Sequence, residues 1–298
     1  MYYKKNQKYY HSMLLPGMIL LLLFSFIPMA GIVIAFQKFI PTKGVFGSKF
    51  VGLYNFEYMF SMSSSWQMFE NTIIIAVSKI IIGLIVPIIV ALLLNEVHHN
   101  GFKKGVQTII YLPYFISWVV LGAIFSNIFS GSGAVNTVLQ ALGVTDEAIL
   151  FMQSNQWFRG IIVWTDVWKM FGYNTIIYIS ALASIDPAQY ESAAIDGANR
   201  WDMALRISLP SIKSTIVLLA TLSLGNVLNA GFEQILTMYN PVVYETADII
   251  DTVVYRMGLL DQQYGVATAM GLVKSVISSV LIVCSYGLAK RFANYEIF

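Results

Sequence analysis

Long apolar runs separated by short polar segments dominate the chain. Runs long enough to cross a hydrocarbon core of about 30 Å, which takes about 20 helical residues, occur at roughly 12–36, 71–95, 107–129, 158–183, 212–234 and 266–289. Six such spans predict an all-α integral membrane protein with a single membrane domain over residues 1–298. The first run is too long for the apolar core of a secretory signal and lacks a small-residue cleavage site, so it is expected to be a retained signal-anchor. The connections 37–70, 130–157 and 235–265 mix Gly, Ser, Asn and aromatic residues without low complexity. They are expected to be folded elements, not linkers. No internal repeat is evident.

Composition agrees with this pattern. Hydrophobic residues make up 57% of the chain and charged residues 11%, against about 25% charged in a soluble domain. A net charge of +2 gives no ground for a nucleic-acid partner; the distribution of cations between the two faces is the informative quantity. Ten Lys and Arg lie in the N-terminal tail, the 96–106 loop, the stretch from Arg200 to Lys213 and the C-terminal tail, and five (Lys38, Lys43, Lys49, Arg159 and Arg256) lie on the other face. That excess predicts cytoplasmic termini, a cytoplasmic segment 185–211, extracytoplasmic long connections and a multi-pass position in the cell membrane. The one cysteine, Cys284, excludes an intrachain disulfide and a cysteine metal cluster.

The segment 185–211 is polar between two apolar runs, and it is closely punctuated. Asp186, Pro187 and Gln189 have the pattern of an N-cap, a first-turn proline and a capping-box partner. A helix is therefore predicted from Pro187 to Asp196, closed by Gly197 as its left-handed terminator. Asn199 can cap a second helix through Leu209, with Trp201, Leu205 and Leu209 at four-residue spacing, and Pro210 is expected to interrupt it. Ser192, Ala193 and Ala194 make a surface without bulk, which lets a helix lie close against another surface. A helix this short is marginal alone in water. It calls for a partner.

The run Glu191-Ser-Ala-x-x-Asp196-Gly197-Ala198, followed by Ile207-x-Leu209-Pro210, closely resembles the EAA loop of binding-protein-dependent ABC importer permeases. It departs from that family's pattern at Ser192, where alanine is preferred, and at Ala204, where maltose-type members often carry an aromatic residue. "FVGLYNFEYMF" (Phe50 to Phe60), "ALLLNEV" (Ala91 to Val97) and "NPVVYETADIIDTVVYRMGL" (Asn240 to Leu259) are similar to the polysaccharide-permease branch. The resemblance implies a type I importer fold and a coupling helix seated on a separate ATPase, with Glu191, Ser192, Ala193, Asp196, Gly197 and Ala198 at that contact. It also implies a second homologous permease, two ATPase subunits, an extracytoplasmic solute-binding protein and a cargo of oligosaccharides or polysaccharide fragments. ATP and Mg would be bound by the ATPase, and this chain would bind no cofactor. The plainer reading of the segment is an amphipathic loop packed on its own membrane domain.

The chain has no phosphate-cradling G-x-x-x-x-G-K-[ST] run; "GLVKS" (Gly271 to Ser275) has the wrong spacing and lies inside a span. His98 and His99 are adjacent, so their side chains diverge on a helix and make a poor metal pair. With no G-x-S-x-G or H-E-x-x-H motif either, the chain is not expected to be an enzyme by itself. Rival classes are a permease for a peptide or amino acid, an ion-driven secondary transporter and a membrane-embedded transferase. Inverted repeats with broken helices would favour the transporter; converging acid–base groups would favour the transferase.

Polar residues at membrane depth are costly and usually face an interior or a wet cavity. In the fourth span Trp164, Asp166, Trp168, Lys169, Tyr173 and Asn174 fall close together. Trp164 and Trp168 share a face, Asp166 and Lys169 can pair at i, i+3, and aromatic faces beside hydrogen-bonding groups suit a sugar. The alternative puts the Trp residues in the interfacial belt and makes the ion pair a brace. In the fifth span Ser223, Asn226, Asn229 and Glu233 are predicted to form one polar stripe, and in the sixth Gly271, Lys274, Ser275 and Ser278 cluster similarly; helix–helix hydrogen bonding is the alternative for both. Lys79 is read as snorkelling outward. The candidate substrate-pathway residues are thus Trp164, Asp166, Trp168, Tyr173, Asn226, Asn229, Glu233 and Lys274, with membrane lipid and a carbohydrate as contacts.

Overall fold

A computed structural model describes residues 2–225 and 227–293. Helices follow one another along it. Helix α1 is Tyr2–Leu21, α2 Tyr54–Ser61, α3 Ser65–Asn95, α4 Asn100–Tyr111, α5 Trp118–Ile128, α6 Ala134–Ala141 and α7 Asn155–Leu182. Helix α8 is Pro187–Ile195, α9 Arg200–Ser211, α10 Lys213–Gly225, α11 Phe232–Met238 and α12 Tyr264–Ala293. The strands β1 (Gln37–Lys38) and β2 (Lys49–Phe50) form a small antiparallel hairpin.

By length and composition, three helices among the described residues can cross a membrane: Gln7–Phe36, Ser65–Asn95 and Tyr264–Gly287. Two bent pairs, Asn100–Phe115 with Trp118–Ile128 and Arg200–Ser211 with Lys213–Gly225, raise the number to five if each is one span. Helix α7 is not among them, although its 28 residues reach about 42 Å, because Asp166, Lys169 and Asn174 dilute its apolar character.

Two expected spans prove to be broken. The run 107–129 bends by 101° between Phe115 and Trp118. Pro113 sits in a 3₁₀ turn there, and Ser117 starts a new helix by accepting from the Val120 N–H at 3.4 Å. The run 212–234 holds helix only to Gly225 and resumes at Phe232, after Gly231 with φ +95°. Periodicity reads both as continuous because the interrupting residues are themselves mostly apolar.

The chain divides into two compact units, Met1–Ser65 with Val253–Ser275, and Trp66–Thr252 with Val276–Phe298. In the first, the buried Asn55 amide donates to the carbonyls of Ala35 (2.8 Å) and Gln37 (3.0 Å), fixing α2 beneath the hairpin. In the second, Ile75, Phe158, Ile162, Leu228, Ile235 and Ile249 are buried at the centre of one apolar core. The long connections are folded, as expected. Asn136 ties its loop through bonds to Ser130 O and to both the N–H and carbonyl of Ile149, while Arg159 holds Thr246 O and the Asn71 side chain.

Candidate functional site

Two features stand out in the second unit, a helix pair with an exposed first helix and a cavity that holds several polar side chains.

The helix pair is built by its caps. The Asp186 carboxylate accepts from the Ala188 N–H at 3.0 Å ahead of Pro187. At the other end Gly197 N–H reaches Ala194 O and Ala198 N–H reaches Ala193 O, at 3.1 and 2.9 Å. This is the paired bonding of a Schellman closure, with Gly197 left-handed at φ +80°. The full capping box expected at Gln189 falls instead at the second helix, where Asn199 and Asp202 exchange side-chain bonds with each other's N–H. That helix also passes its proline. A π turn over Ala204–Ser208 absorbs Pro210, which cannot donate to the preceding turn, and the 58° bend comes at Ile212.

No residue of α8 is buried. Glu191, Ser192, Asp196 and Gly197 are exposed, Ala193 and Ala198 half-buried. Ile195 is 87% exposed and Trp201 71%, an unusual display for apolar side chains in a polar loop. One tie, Tyr190 Oη to Ser208 Oγ at 2.8 Å, joins α8 to α9. Helix α8 is therefore capped at both ends, bonded to α9 and left uncovered, whereas α9 buries Ala204 and Ser208 and pairs Arg200 with Glu96 at 3.8 Å.

The cavity, about 390 Å³, lies among α3, α7, α10 and the break after it; its wall is mostly apolar, with Ile80, Leu84, Met170 and Leu219 among its residues, and Lys79, Asp166, Asn174, Tyr178, Ser223 and Asn229 supply its polar groups beside Gly83. Pro87 in α3 lacks the N–H that would bond the Gly83 carbonyl, and Gly83 is on the wall. The Tyr178 hydroxyl is buried and has no protein partner, which marks it for a water or a ligand.

Lys79 turns inward, and the outward reading is corrected. Its Nζ lies 3.4 Å from Asp166 Oδ1, donates to Ala230 O at 2.8 Å and also bonds Gln234 Oε1. Gln234 in turn donates to Ile162 O and Thr165 Oγ1, both at 2.8 Å. A Cβ on Gly231 would stand 2.6 Å from the Lys79 nitrogen, and its φ of +95° is one that side chains rarely adopt, so the position favours glycine. The helix break after Gly225 is thus moored to α3 and α7 by one cation.

The pairing of Asp166 with Lys169 is likewise corrected. Lys169 points to the other break, donating to Tyr114 O at 2.8 Å and to Ile116 O. Carbonyls freed by the bend need donors, and the lysine supplies them. Gly172 lets α7 approach closely there, since a Cβ would fall 1.9 Å from Ile110 O, and Tyr173 stacks on Tyr114 with centroids 4.0 Å apart.

The structure therefore brings Asp166, Asn174, Ser223 and Asn229 together, with Lys79 and Tyr178, which sequence reasoning had not placed at a site. Trp164 and Trp168 are two residues from Asp166, about 200° round the helix; both are exposed, and Trp168 packs edge-on to Phe125. Tyr173, Glu233 and Lys274 do not line the cavity either. The expected stripe along one helix is corrected, because Asn229 lies in the break and Glu233 opens α11 beyond it. Asn226 lies outside the described residues.

Several long apolar helices, two broken apolar runs and a cavity that holds partly buried ionisable groups fit a polytopic membrane protein. Comparison with known proteins gives the family. Residues 83–294 match the family described as "Binding-protein-dependent transport system inner membrane component". The chain belongs to that family, the permease subunits of ABC transporters, and is a multi-pass membrane protein. It is 40% identical to the polygalacturonan/rhamnogalacturonan transport system permease protein YteP of Bacillus subtilis (strain 168), over 98% of this chain and 91% of that one. It is 38% identical to protein LplB of the same organism, over 99% and 92%. A crystal structure of a bacterial ABC transporter involved in the import of the acidic polysaccharide alginate superposes with TM-score 0.88 at 38% identity, covering 97% of each chain. Another, of a bacterial alginate ABC transporter with its alginate pentasaccharide-bound periplasmic protein, does so with TM-score 0.89 at 37% identity, over 99% of this chain and 98% of that one.

Proposed function

We propose that this chain is one of two homologous permease halves of an ATP-driven importer of oligosaccharides or polysaccharide fragments. It crosses the membrane six times with both termini in the cytoplasm. Helix α8 docks in a separate ATPase subunit, present in two copies and binding ATP and Mg, and an extracytoplasmic solute-binding protein delivers the cargo. The observation that carries the reading is the capped, uncovered helix α8 in a chain of this family. Covering Ile195 and Trp201 would contribute about 1.5–3 kcal/mol for each side chain, and the Schellman closure and Asp186 cap make α8 stiff enough to transmit a push. The carbohydrate cargo is supported by the names and titles of the relatives. Closure of the ATPases would drive α8, and the membrane part would rock between inward-open and outward-open states around the cavity.

Purified in mild detergent from its own membrane, the tagged chain should bring with it a second permease and an ATPase, and should capture a solute-binding protein when cargo is added. Recovery as a self-associating chain without any ATPase would contradict the reading.

On this reading the cavity amides face the cargo's route. Asn229→Leu keeps similar bulk while removing hydrogen-bonding groups, and it is expected to lower uptake per assembled complex several-fold with assembly intact. If Asn229 serves only to bond protein to protein, uptake per complex will hold and thermal stability alone will fall, by about 0.6 kcal/mol for a typical intramembrane hydrogen bond.

A further inference from the structure

The first unit has a groove of its own. Its volume is about 290 Å³, and Lys38, Tyr54, Tyr58, Gln262 and Gln263 line it beside the edge-on pair Phe39 and Tyr264. That is at the small end of the roughly 300–1,000 Å³ of ligand pockets, room for the end of a chain molecule and not for its length. The lining contains one lysine, two glutamines, four aromatic rings and no carboxylate.

The groove is built, not incidental. Tyr54 and Tyr58 stack one turn apart on α2, 6.5 Å between centroids at 22°, and both rings are exposed. Asn55 between them fixes the backbone of residues 35–37, and a Cβ on Gly265 would stand 2.7 Å from both Asn55 Nδ2 and Gln37 O. The turn carrying the glutamines is therefore seated hard against the hairpin. Gln262 is held at φ +57°, the one non-glycine residue with positive φ among the described residues. Such a conformation costs about 1–3 kcal/mol and persists where the surroundings impose it, often at ligand sites. Among the described residues no ion pair engages Lys38.

We infer that this groove binds the end of a carboxylate-bearing oligosaccharide, with Tyr54 and Tyr58 stacking on the C–H face of a sugar ring, Gln262 and Gln263 bonding its hydroxyls and Lys38 pairing its carboxylate. Aromatic faces beside amides suit a pyranose, and the single unpaired cation selects an acid over a neutral sugar. Residues 37–70 and 235–265 lie on the face that the cation asymmetry places outside, where cargo arrives. The inference deepens the carbohydrate-permease reading and rests on it.

The test uses the assembled transporter in nanodiscs without its solute-binding protein, titrated with trigalacturonate as acidic probe and maltotriose as neutral probe. Trigalacturonate should bind the more tightly. Lys38→Gln should weaken it by about tenfold, the loss expected for one charge-assisted bond, and bring the two probes level. Lys38→Arg should retain the preference, and Tyr58→Ala should weaken both probes. The inference is overturned if wild type binds neither probe or both equally, or if Lys38→Gln and Tyr58→Ala leave binding unchanged. It is also overturned if Lys38→Gln alters only the affinity for the solute-binding protein, which would make the groove a protein-docking surface. ATP-driven uptake of both probes, with the solute-binding protein added, separates the two levels. Normal uptake with unaltered variant binding removes the groove alone, whereas no uptake of either probe and no co-purifying ATPase removes the carbohydrate-permease reading and this inference with it.

Discussion

Gly197→Val is expected to abolish most ATP-driven uptake while leaving the membrane part folded. Gly197 closes α8 at φ +80°, and a Cβ there meets nothing within 4 Å. Within the chain a Cβ is therefore not crowded, and the intrachain effect is conformational. A left-handed backbone costs an ordinary residue about 1–2 kcal/mol, and a β-branched residue is a genuine outlier there. The chain will relieve it by unwinding the bonds from Gly197 and Ala198 back to α8, which redirects Ile195 and Glu191. Gly197→Asn, which tolerates the left-handed region, should retain most of the activity. Glu191→Lys reverses charge at the proposed ATPase contact without touching the fold, since Glu191 is exposed, and should also reduce ATPase recovery. Measured ATPase co-purification and thermal unfolding of the same preparations decide the matter. Full ATPase recovery and uptake in both Gly197→Val and Glu191→Lys would remove α8 from the coupling role.

Lys79→Met is expected to cause a large loss of stability in the second unit. The Lys79 side chain is 9% exposed, and its ammonium serves Asp166, Ala230 O and Gln234 at once. Removing one partner of a buried ion pair costs about 3–5 kcal/mol because the other is left uncompensated. Asp166 is 23% exposed at the cavity, so water will hold the cost toward the lower end. Lys79→Met/Asp166→Leu removes both charges and should recover a large part of the loss, giving a strong coupling in the double-mutant cycle. Strictly additive losses would mean that the two side chains do not act as a pair. Because Lys79 also moors the break after Gly225, Lys79→Met should expose that segment to faster hydrogen exchange than Asp166→Asn does.

Much of the segment 185–211 is legible in the sequence because its signals are local. Asp186, Pro187, Gly197 and Asn199 act on backbone groups within a few residues, and they occupy the expected places. The exchange of roles between Gln189 and Asp202 is the exception: a box needs a reciprocal bond, and composition cannot say which of two candidates closes. The cavity was much less legible. Asp166 and Lys169 are neighbours on a helix, so pairing them is the natural local reading. Their actual partners, Lys79 and the carbonyls of Tyr114 and Ile116, come from other helices, and nothing in a period of 3.6 reports them. The two broken spans failed for a related reason. Hydropathy measures how apolar a stretch is, not whether it is helical, and Pro113 and Gly231 weigh little against the Leu, Ile and Phe around them. In hindsight the conjunction of a glycine at 231 with an intramembrane Lys79 is the available signal, since a freed carbonyl at membrane depth needs a donor.

The most direct test of the account is uptake into proteoliposomes. The chain, its partner permease and the ATPase are reconstituted, labelled oligosaccharide and the solute-binding protein are placed outside, and ATP with Mg is enclosed. Accumulation against a gradient that requires enclosed ATP and the solute-binding protein, and that falls to background in Gly197→Val, is the predicted result. Accumulation that proceeds without ATP and follows an imposed ion gradient, unaffected by Gly197→Val, would contradict it.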